Sequence, residues 1–138
     1  MKRVLFICTR NSSRSQMAEA LVNLDLAGKY EAFSAGTEPS SVNPLAIAVM
    51  KELGIDISQK RSKGLEEFVG QEFDYVITLC SRADKACPVF FGGTKKIHIG
   101  FPDPTATNGN EQAKISAFRE LRDQIRKQVV DFLKKDKG

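Results

Sequence analysis

Short apolar runs alternate along this chain with longer stretches in which apolar residues recur every three or four positions. The run Val4-Leu5-Phe6-Ile7 sits inside a first predicted strand over residues 2–8. From Ser13 to about Ala27, Met17, Ala20, Leu21 and Leu24 fall at helical spacing, and Gly28 supplies the left-handed stop. Tyr30 to Ala35 reads as a second strand closing on Gly36. Asn43-Pro44 then opens a helix, with Asn as cap and Pro in its favoured first turn, and Leu45, Val49 and Leu53 mark its inner face before Gly54. Phe73 to Leu79 is the most apolar strand, and Lys96 to Ile99 a short last one. From Glu111 to about Lys134 a long amphipathic helix carries Phe118, Leu121, Ile125, Val129 and Phe132. Strands alternating with helices in this way predict an α/β fold, with four strands in a parallel sheet joined by crossover helices.

Composition narrows the class without altering that picture. A chain of 138 residues suits one domain, 1–138, with a single core. Hydrophobic residues make up 41% and charged residues 28%, and no apolar run approaches the roughly 18 residues of a membrane span. The apolar stretch behind Met1-Lys2-Arg3 is too short for a secretory signal, so a cytoplasmic location is expected. The net charge of +4 owes much to the tail Lys134-Lys135-Asp136-Lys137, and no aromatic-interleaved basic patch accompanies it. Neither nucleic acid nor membrane is therefore an expected partner, whereas a small anion suits a mild positive bias.

The candidate chemistry lies at the end of the first strand, in Cys8-Thr9-Arg10-Asn11-Ser12-Ser13-Arg14-Ser15. A cysteine at a strand end is commonly just a small packed apolar group. Here it is followed by a polar turn, by an arginine six positions on, and by a helix whose N–H groups and positive dipole end face back onto the turn. That is a cradle for an oxyanion, and it favours a thiolate at neutral pH. Cys80, at the end of the Phe73–Leu79 strand, and the loop holding Asp103 would fall at the same carboxyl edge of the sheet, where open parallel sheets bind ligands.

Cys87 follows Cys80 by seven positions. Were the segment helical, the two would lie about 10.5 Å apart along its axis, beyond disulfide reach, so a bond between them requires the turn to unwind. Pro88 offers a break there, as a redox switch would need. Two unrelated buried thiols remain an alternative. A metal site is disfavoured, because the lone histidine, His98, cannot complete a ligand set. His98 itself reads as a packed or surface residue rather than as a base.

With Cys8-x5-Arg14-Ser15, Thr78-Leu79-Cys80, Cys87 and Asp103-Pro104 in order, the chain resembles the thioredoxin-coupled arsenate reductases, which share the fold of low-molecular-weight protein tyrosine phosphatases. Arg14-Ser15-Gln16-Met17-Ala18-Glu19, Ser34-Ala35-Gly36, Val42-Asn43-Pro44 and Gly54-Ile55-Asp56-Ile57-Ser58 extend the resemblance over nearly the whole chain. It implies a three-cysteine relay. Cys8 attacks arsenate held by the Thr9–Ser15 loop and Arg14, Asp103 protonates the departing oxygen, and Cys80 then displaces arsenite as a Cys8–Cys80 disulfide forms. Cys87 moves the oxidised pair to Cys80–Cys87 for thioredoxin to reduce. Ser15 would donate to the Cys8 thiolate, and Asn11 would take the left-handed position of the loop. The resemblance implies a single-domain three-layer sandwich, a four-stranded parallel sheet with helices on both faces, and no cofactor; a monomer is expected. Its alternative is a phosphatase acting on phosphotyrosine or a small phosphate ester, for which Cys8, Arg14 and Asp103 suffice.

Three positions depart from the family pattern. Arg10 stands where many reductases have glycine, which raises the question of backbone strain in the loop. Ser13 replaces a further cysteine that the relay does not use. Some relatives bind potassium through equivalents of Asn11, Glu19 and Ser34 plus an aspartate; Lys63 occupies the aspartate's place, so no metal site is expected and its ammonium would stand in for the ion.

Overall fold

The computed structural model describes residues 1–80 and 93–135. Its strands are β1 (Lys2–Cys8), β2 (Tyr30–Gly36), β3 (Phe73–Thr78) and β4 (Gly93–His98). All pair in parallel, in the order β2-β1-β3-β4. Its helices are α1 (Arg14–Asp25), α2 (Pro44–Lys51), α3 (Glu111–Ile125) and α4 (Asp131–Lys135), with short 3₁₀ turns at Leu65–Phe68 and Pro104–Ala106. Among the described residues no helix is long and apolar enough to cross a membrane.

The alternation of side chains along a strand divides β1 between two cores. Val4 and Phe6 face a large cluster with Ala32, Tyr75 and Ile77, closed by Met17 and Leu21 of α1, Val49 of α2 and Phe118, Leu121 and Ile125 of α3. Leu5 and Ile7 face a smaller one with Val76, Phe73 and Phe68, to which the 3₁₀ turn Leu65–Phe68 contributes. The three longest helices thus share one face of the sheet, and among the described residues a single 3₁₀ turn covers the other. Phe33, Phe68 and Phe73 make mutual edge-to-face contacts there, and the Arg3 guanidinium lies 4.8 Å and 4.6 Å from the Phe33 and Phe73 ring centres.

The predicted stops hold. Asn43 accepts from the Leu45 N–H at 2.8 Å as the cap of α2, and Gly28 and Gly54 adopt φ of 85° and 77°. Two positions of the predicted stripes differ. Leu24 is 52% exposed, because α1 is buried all round from Arg14 to Val22 and its last turn emerges into solvent. The long C-terminal helix is interrupted by a wide π turn over Arg126–Val130. A π turn accommodates an extra residue, so the inward face moves on, burying Val130 and Leu133 while Phe132 is only half-buried against Tyr75. Cys87 and Pro88 lie outside the described residues.

Candidate active site

The loop that follows β1 is held from outside by its carbonyl oxygens. Thr9 O accepts from Glu38 N (2.9 Å) and Thr37 Oγ1 (3.3 Å), Arg10 O from Ser62 Oγ (2.9 Å) and Ser40 N (3.3 Å), Asn11 O from Gln16 Nε2 (3.4 Å), and Ser12 O from Asn43 N (3.0 Å). In a planar trans peptide the C=O and the next residue's N–H point in opposite directions. With these carbonyls turned outward, the N–H groups of Arg10, Asn11, Ser12 and Ser13 turn to the inner side of the loop, where α1 also begins. Successive inward N–H groups at a helix N-terminus form an anion-binding nest. Cys8, 2% exposed, sits at the base of that loop.

Such a wrap requires the surrounding chain to come very close. Gly36, the register partner of Cys8, allows it: a Cβ there would lie 2.6 Å from Thr9 O, 2.8 Å from Asn11 N and 2.9 Å from Cys8 O. The strain anticipated for Arg10 is absent. Among the described non-glycine residues the left-handed region is occupied by Asn11 alone, at φ 50°. Arg10 keeps ordinary backbone geometry, and its exposed side chain borders the cleft.

A cleft of about 520 Å³ opens above the loop, lined by Cys8, Thr9, Arg10, Ser12, Ser13 and Arg14 on one side and by Glu38, Ser40, Asn43, Asp103 and Thr105 on the other. Arg14, 5% exposed, is steadied by donation from Nη1 to Phe101 O at 3.1 Å. Ser13 occupies the cap position of α1, yet its hydroxyl does not cap the helix. Its Oγ and the Thr9 Oγ1 are buried without a hydrogen-bond partner in the protein. Buried hydroxyls left unpaired beside a cleft are donors available to a ligand.

Cys8 Sγ lies 2.9 Å from Ser15 Oγ, whose oxygen is also 2.7 Å from the donating Asn11 Nδ2. Asp103 is half-buried at the opposite wall, where its Oδ1 accepts from Thr105 N (3.0 Å) and Thr105 Oγ1 (2.7 Å). Cys80 is fully buried just past β3, next to β1 in the sheet; Leu79 N donates to Ile7 O at 2.8 Å, so Cys8 and Cys80 leave neighbouring strands at the same edge. The structure therefore brings together Cys8, the Thr9–Ser15 loop, Arg14 and Asp103, and sets Cys80 beside them. His98 ends β4 with Nδ1 2.6 Å from Thr78 Oγ1 and does not line the cleft.

Behind the loop, Glu19 is 4% exposed, accepts from Ser34 Oγ at 3.3 Å, and has Lys63 Nζ at 4.0 Å and Lys60 Nζ at 3.8 Å. Burial pushes the Glu19 carboxyl above its usual range, opposed by the two ammonium groups. Burial likewise depresses Lys63, against the pull of Glu19. Sequence reasoning placed Lys63 at this cluster but missed Gly36, Gln16, Glu38 and Ser62 as the loop's surround. A glycine closing a strand opposite the nucleophile was the one available signal.

Comparison with known proteins agrees with this geometry. A model of the low molecular weight phosphotyrosine protein phosphatase family matches residues 3–137. The arsenate reductase of Halalkalibacterium halodurans is 40% identical over 131 residues, which span 95% of this chain and 94% of that one. An arsenate reductase solved in the phosphate binding state superposes with a TM-score of 0.79 at 36% identity, over 98% of each chain. The thioredoxin-dependent arsenate reductase of Corynebacterium glutamicum aligns with a TM-score of 0.67 at 29% identity, over 97% of this chain and 62% of its own. Cradle, nucleophile and relatives converge: this chain is an enzyme of the low molecular weight phosphotyrosine protein phosphatase family, with arsenate reductases among its relatives.

Proposed function

We propose that this enzyme reduces arsenate to arsenite, using Cys8 as nucleophile and Cys80 and Cys87 as the thiols that carry the oxidising equivalents away. The observation that carries the reading is the inward-facing N–H nest with Arg14 and the unpaired hydroxyls of Thr9 and Ser13, closed around a buried thiol. A tetrahedral oxyanion finds donors on every side there, and the planar guanidinium of Arg14 suits bidentate binding.

In this scheme the Cys8 thiolate attacks arsenic(V) and an oxygen departs as water, protonated by Asp103. The Cys80 thiolate then attacks Cys8 Sγ. The sulfur–arsenic bond breaks with its electron pair going to arsenic, which leaves as arsenic(III), and a Cys8–Cys80 disulfide remains. Cys87 attacks Cys80 Sγ and releases the Cys8 thiolate, and an external dithiol, thioredoxin in this proposal, reduces the Cys80–Cys87 pair. The burial of Cys80 supports the last step: an external protein cannot reach it, so a third thiol has to export the disulfide.

Consumption of NADPH in the presence of arsenate, thioredoxin and thioredoxin reductase tests the reading. Turnover is expected for the native chain and absent for Cys8→Ser, Cys80→Ser and Cys87→Ser. Undiminished turnover by Cys87→Ser would remove the relay, and hydrolysis of para-nitrophenyl phosphate with no arsenate turnover would replace the reductase by a phosphatase.

A further inference from the structure

The hydrogen bonds that lead to Cys8 from behind run through groups whose directions can be assigned. The Lys63 N–H can only donate, and it donates to Asn11 Oδ1 at 2.8 Å. This fixes the Asn11 amide, turning Nδ2 to Ser15 Oγ at 2.7 Å. An amide nitrogen has no lone pair to offer, so Ser15 Oγ accepts there. A hydroxyl carries one proton, and with its oxygen engaged by Asn11 that proton is left to point at Cys8 Sγ, 2.9 Å away.

Gln16 locks the same amide from the other side. It is wholly buried, and its Nε2 faces three oxygens: Asn11 Oδ1 at 2.9 Å, Arg61 O at 3.0 Å and Asn11 O at 3.4 Å. Reversing the Gln16 amide would set its own carbonyl oxygen against all three. With two N–H groups Gln16 donates over its shortest contacts to Asn11 Oδ1 and Arg61 O, and so ties the side chain of the one left-handed residue in the loop to the 61–63 segment. That segment is anchored in turn, since Lys63 O accepts from Gly36 N (2.9 Å) and Lys63 Nζ donates to Arg61 O (2.9 Å) while facing Glu19.

We infer that Gln16 is a positioning residue for the nucleophile: together with the Lys63 N–H it sets the direction of the Asn11–Ser15–Cys8 chain, so that the Ser15 proton is presented to the sulfur. The inference rests on the reading of Cys8 as the attacking thiolate. Without the Gln16 donors only the Lys63 N–H holds the Asn11 amide, so the turned orientation, in which the Ser15 proton points to Asn11 Oδ1 instead of to sulfur, costs less. A hydrogen bond to an ionised sulfur is worth more than one to a thiol, so its loss falls on the charged form.

Alkylation of Cys8 by iodoacetamide across pH, followed on the Cys8 peptide by mass spectrometry with thermal unfolding in parallel, provides the test. Gln16→Met should move the pH of half-maximal alkylation upward by about one unit, the scale of one lost charge-assisted bond. In a Ser15→Ala background the same substitution should move it little, because the link through which Gln16 acts has gone. Asn11→Asp, which replaces the donor facing Ser15 by an acceptor, should reproduce the upward shift with Gln16 intact. An unmoved midpoint in Gln16→Met, or an equal shift with and without Ser15, would assign Gln16 to packing alone. If Gln16→Met does not fold, Asn11→Asp decides by comparison with Ser15→Ala: its added carboxylate raises the midpoint by charge in both backgrounds, so a larger rise with Ser15 present supports the chain, and an equal rise with and without Ser15 overturns the assignment. The assay contains no arsenate, so a failed reductase reading and a failed positioning role give separate results.

Discussion

The two walls of the cleft are built on opposite principles. The Cys8–Ser15 loop is held by donors distant in the chain: Glu38, Ser40, Asn43 and Ser62 clasp its carbonyls, and Gln16, Lys63 and Gly36 brace it from behind. Asp103, across the cleft, is held by its neighbour Thr105 only two residues on, and is half-exposed. The side proposed to meet the charged substrate is thus fixed before a substrate arrives, so that no reorganisation would be needed when charge develops. The side proposed to deliver a proton is held locally. In the proposed reaction binding is therefore preorganised, while proton delivery is adaptable.

If that contrast is right, substitutions on the loop side should dominate. Cys8→Ser should lower arsenate-dependent turnover by roughly a thousandfold or more, to background, since no other group can take over the nucleophile's role. Arg14→Lys keeps the charge but loses the planar fork, and kcat/KM for arsenate should fall on the order of a hundredfold in steady-state assays. Gly36→Ala tests the surround itself: a Cβ 2.6 Å from Thr9 O forces the loop or β2 to move. Urea unfolding should show a loss of about 1–3 kcal/mol, the usual cost of overpacking, together with weakened arsenate binding.

The other wall should respond less. Asp103→Asn is expected to lower kcat about tenfold with KM little changed, at or below the low end for a general acid, because water reaches this half-exposed position and can supply the proton. An effect on Asp103 equal to that on Arg14 would erase the contrast. Far from both walls, Glu52 is clamped by Arg119 (Nε to Oε1 at 3.0 Å, Nη2 to Oε2 at 2.6 Å) and by Arg122 (Nη1 to Oε1 at 2.8 Å). Hydrogen bonds from Arg119 and then Arg122 hold its carboxyl down to about 2, from an ordinary 4.5. A carboxyl lowered by folding contributes stability above its unfolded pKa, and that contribution fades as pH falls through 4.5 toward 2. Glu52→Gln should therefore flatten the acid limb of the stability profile in that window, its loss being greatest above pH 4.5 and vanishing toward pH 2, and small throughout because exposed pairs contribute weakly.

Much of the loop side could be read from the sequence because its chemistry is contiguous. Cys8, Asn11, Arg14 and Ser15 lie within eight residues, between a strand and a helix whose periods are plain. The outer clasp was not legible. Glu38, Ser40 and Asn43 act through backbone N–H groups, which every residue but proline possesses, so side-chain chemistry gives no sign of them. Gln16 reads as one more residue of α1 until the fold brings Asn11 and Arg61 to its amide. The helical stripes were legible in their middles and less so at their ends. Leu24 turned outward because the last turn of α1 leaves the sheet, and Phe132 was displaced by a π turn that no periodicity announces. The strand before Cys80 is enough to put it at the sheet edge that Cys8 shares, whereas Cys87, seven residues on, lies outside the described residues.

The central claim, that an oxyanion held by this loop passes its oxidising equivalents to Cys80 through Cys8, is tested most directly in Cys87→Ser, where the relay must stop after its second thiol. Reduced protein mixed with an equimolar amount of arsenate should release arsenite and leave a disulfide joining the Cys8 and Cys80 peptides, read by mass spectrometry after acid quench. Arsenite released with Cys80 still a thiol, or no arsenite while the loop binds arsenate, would contradict it.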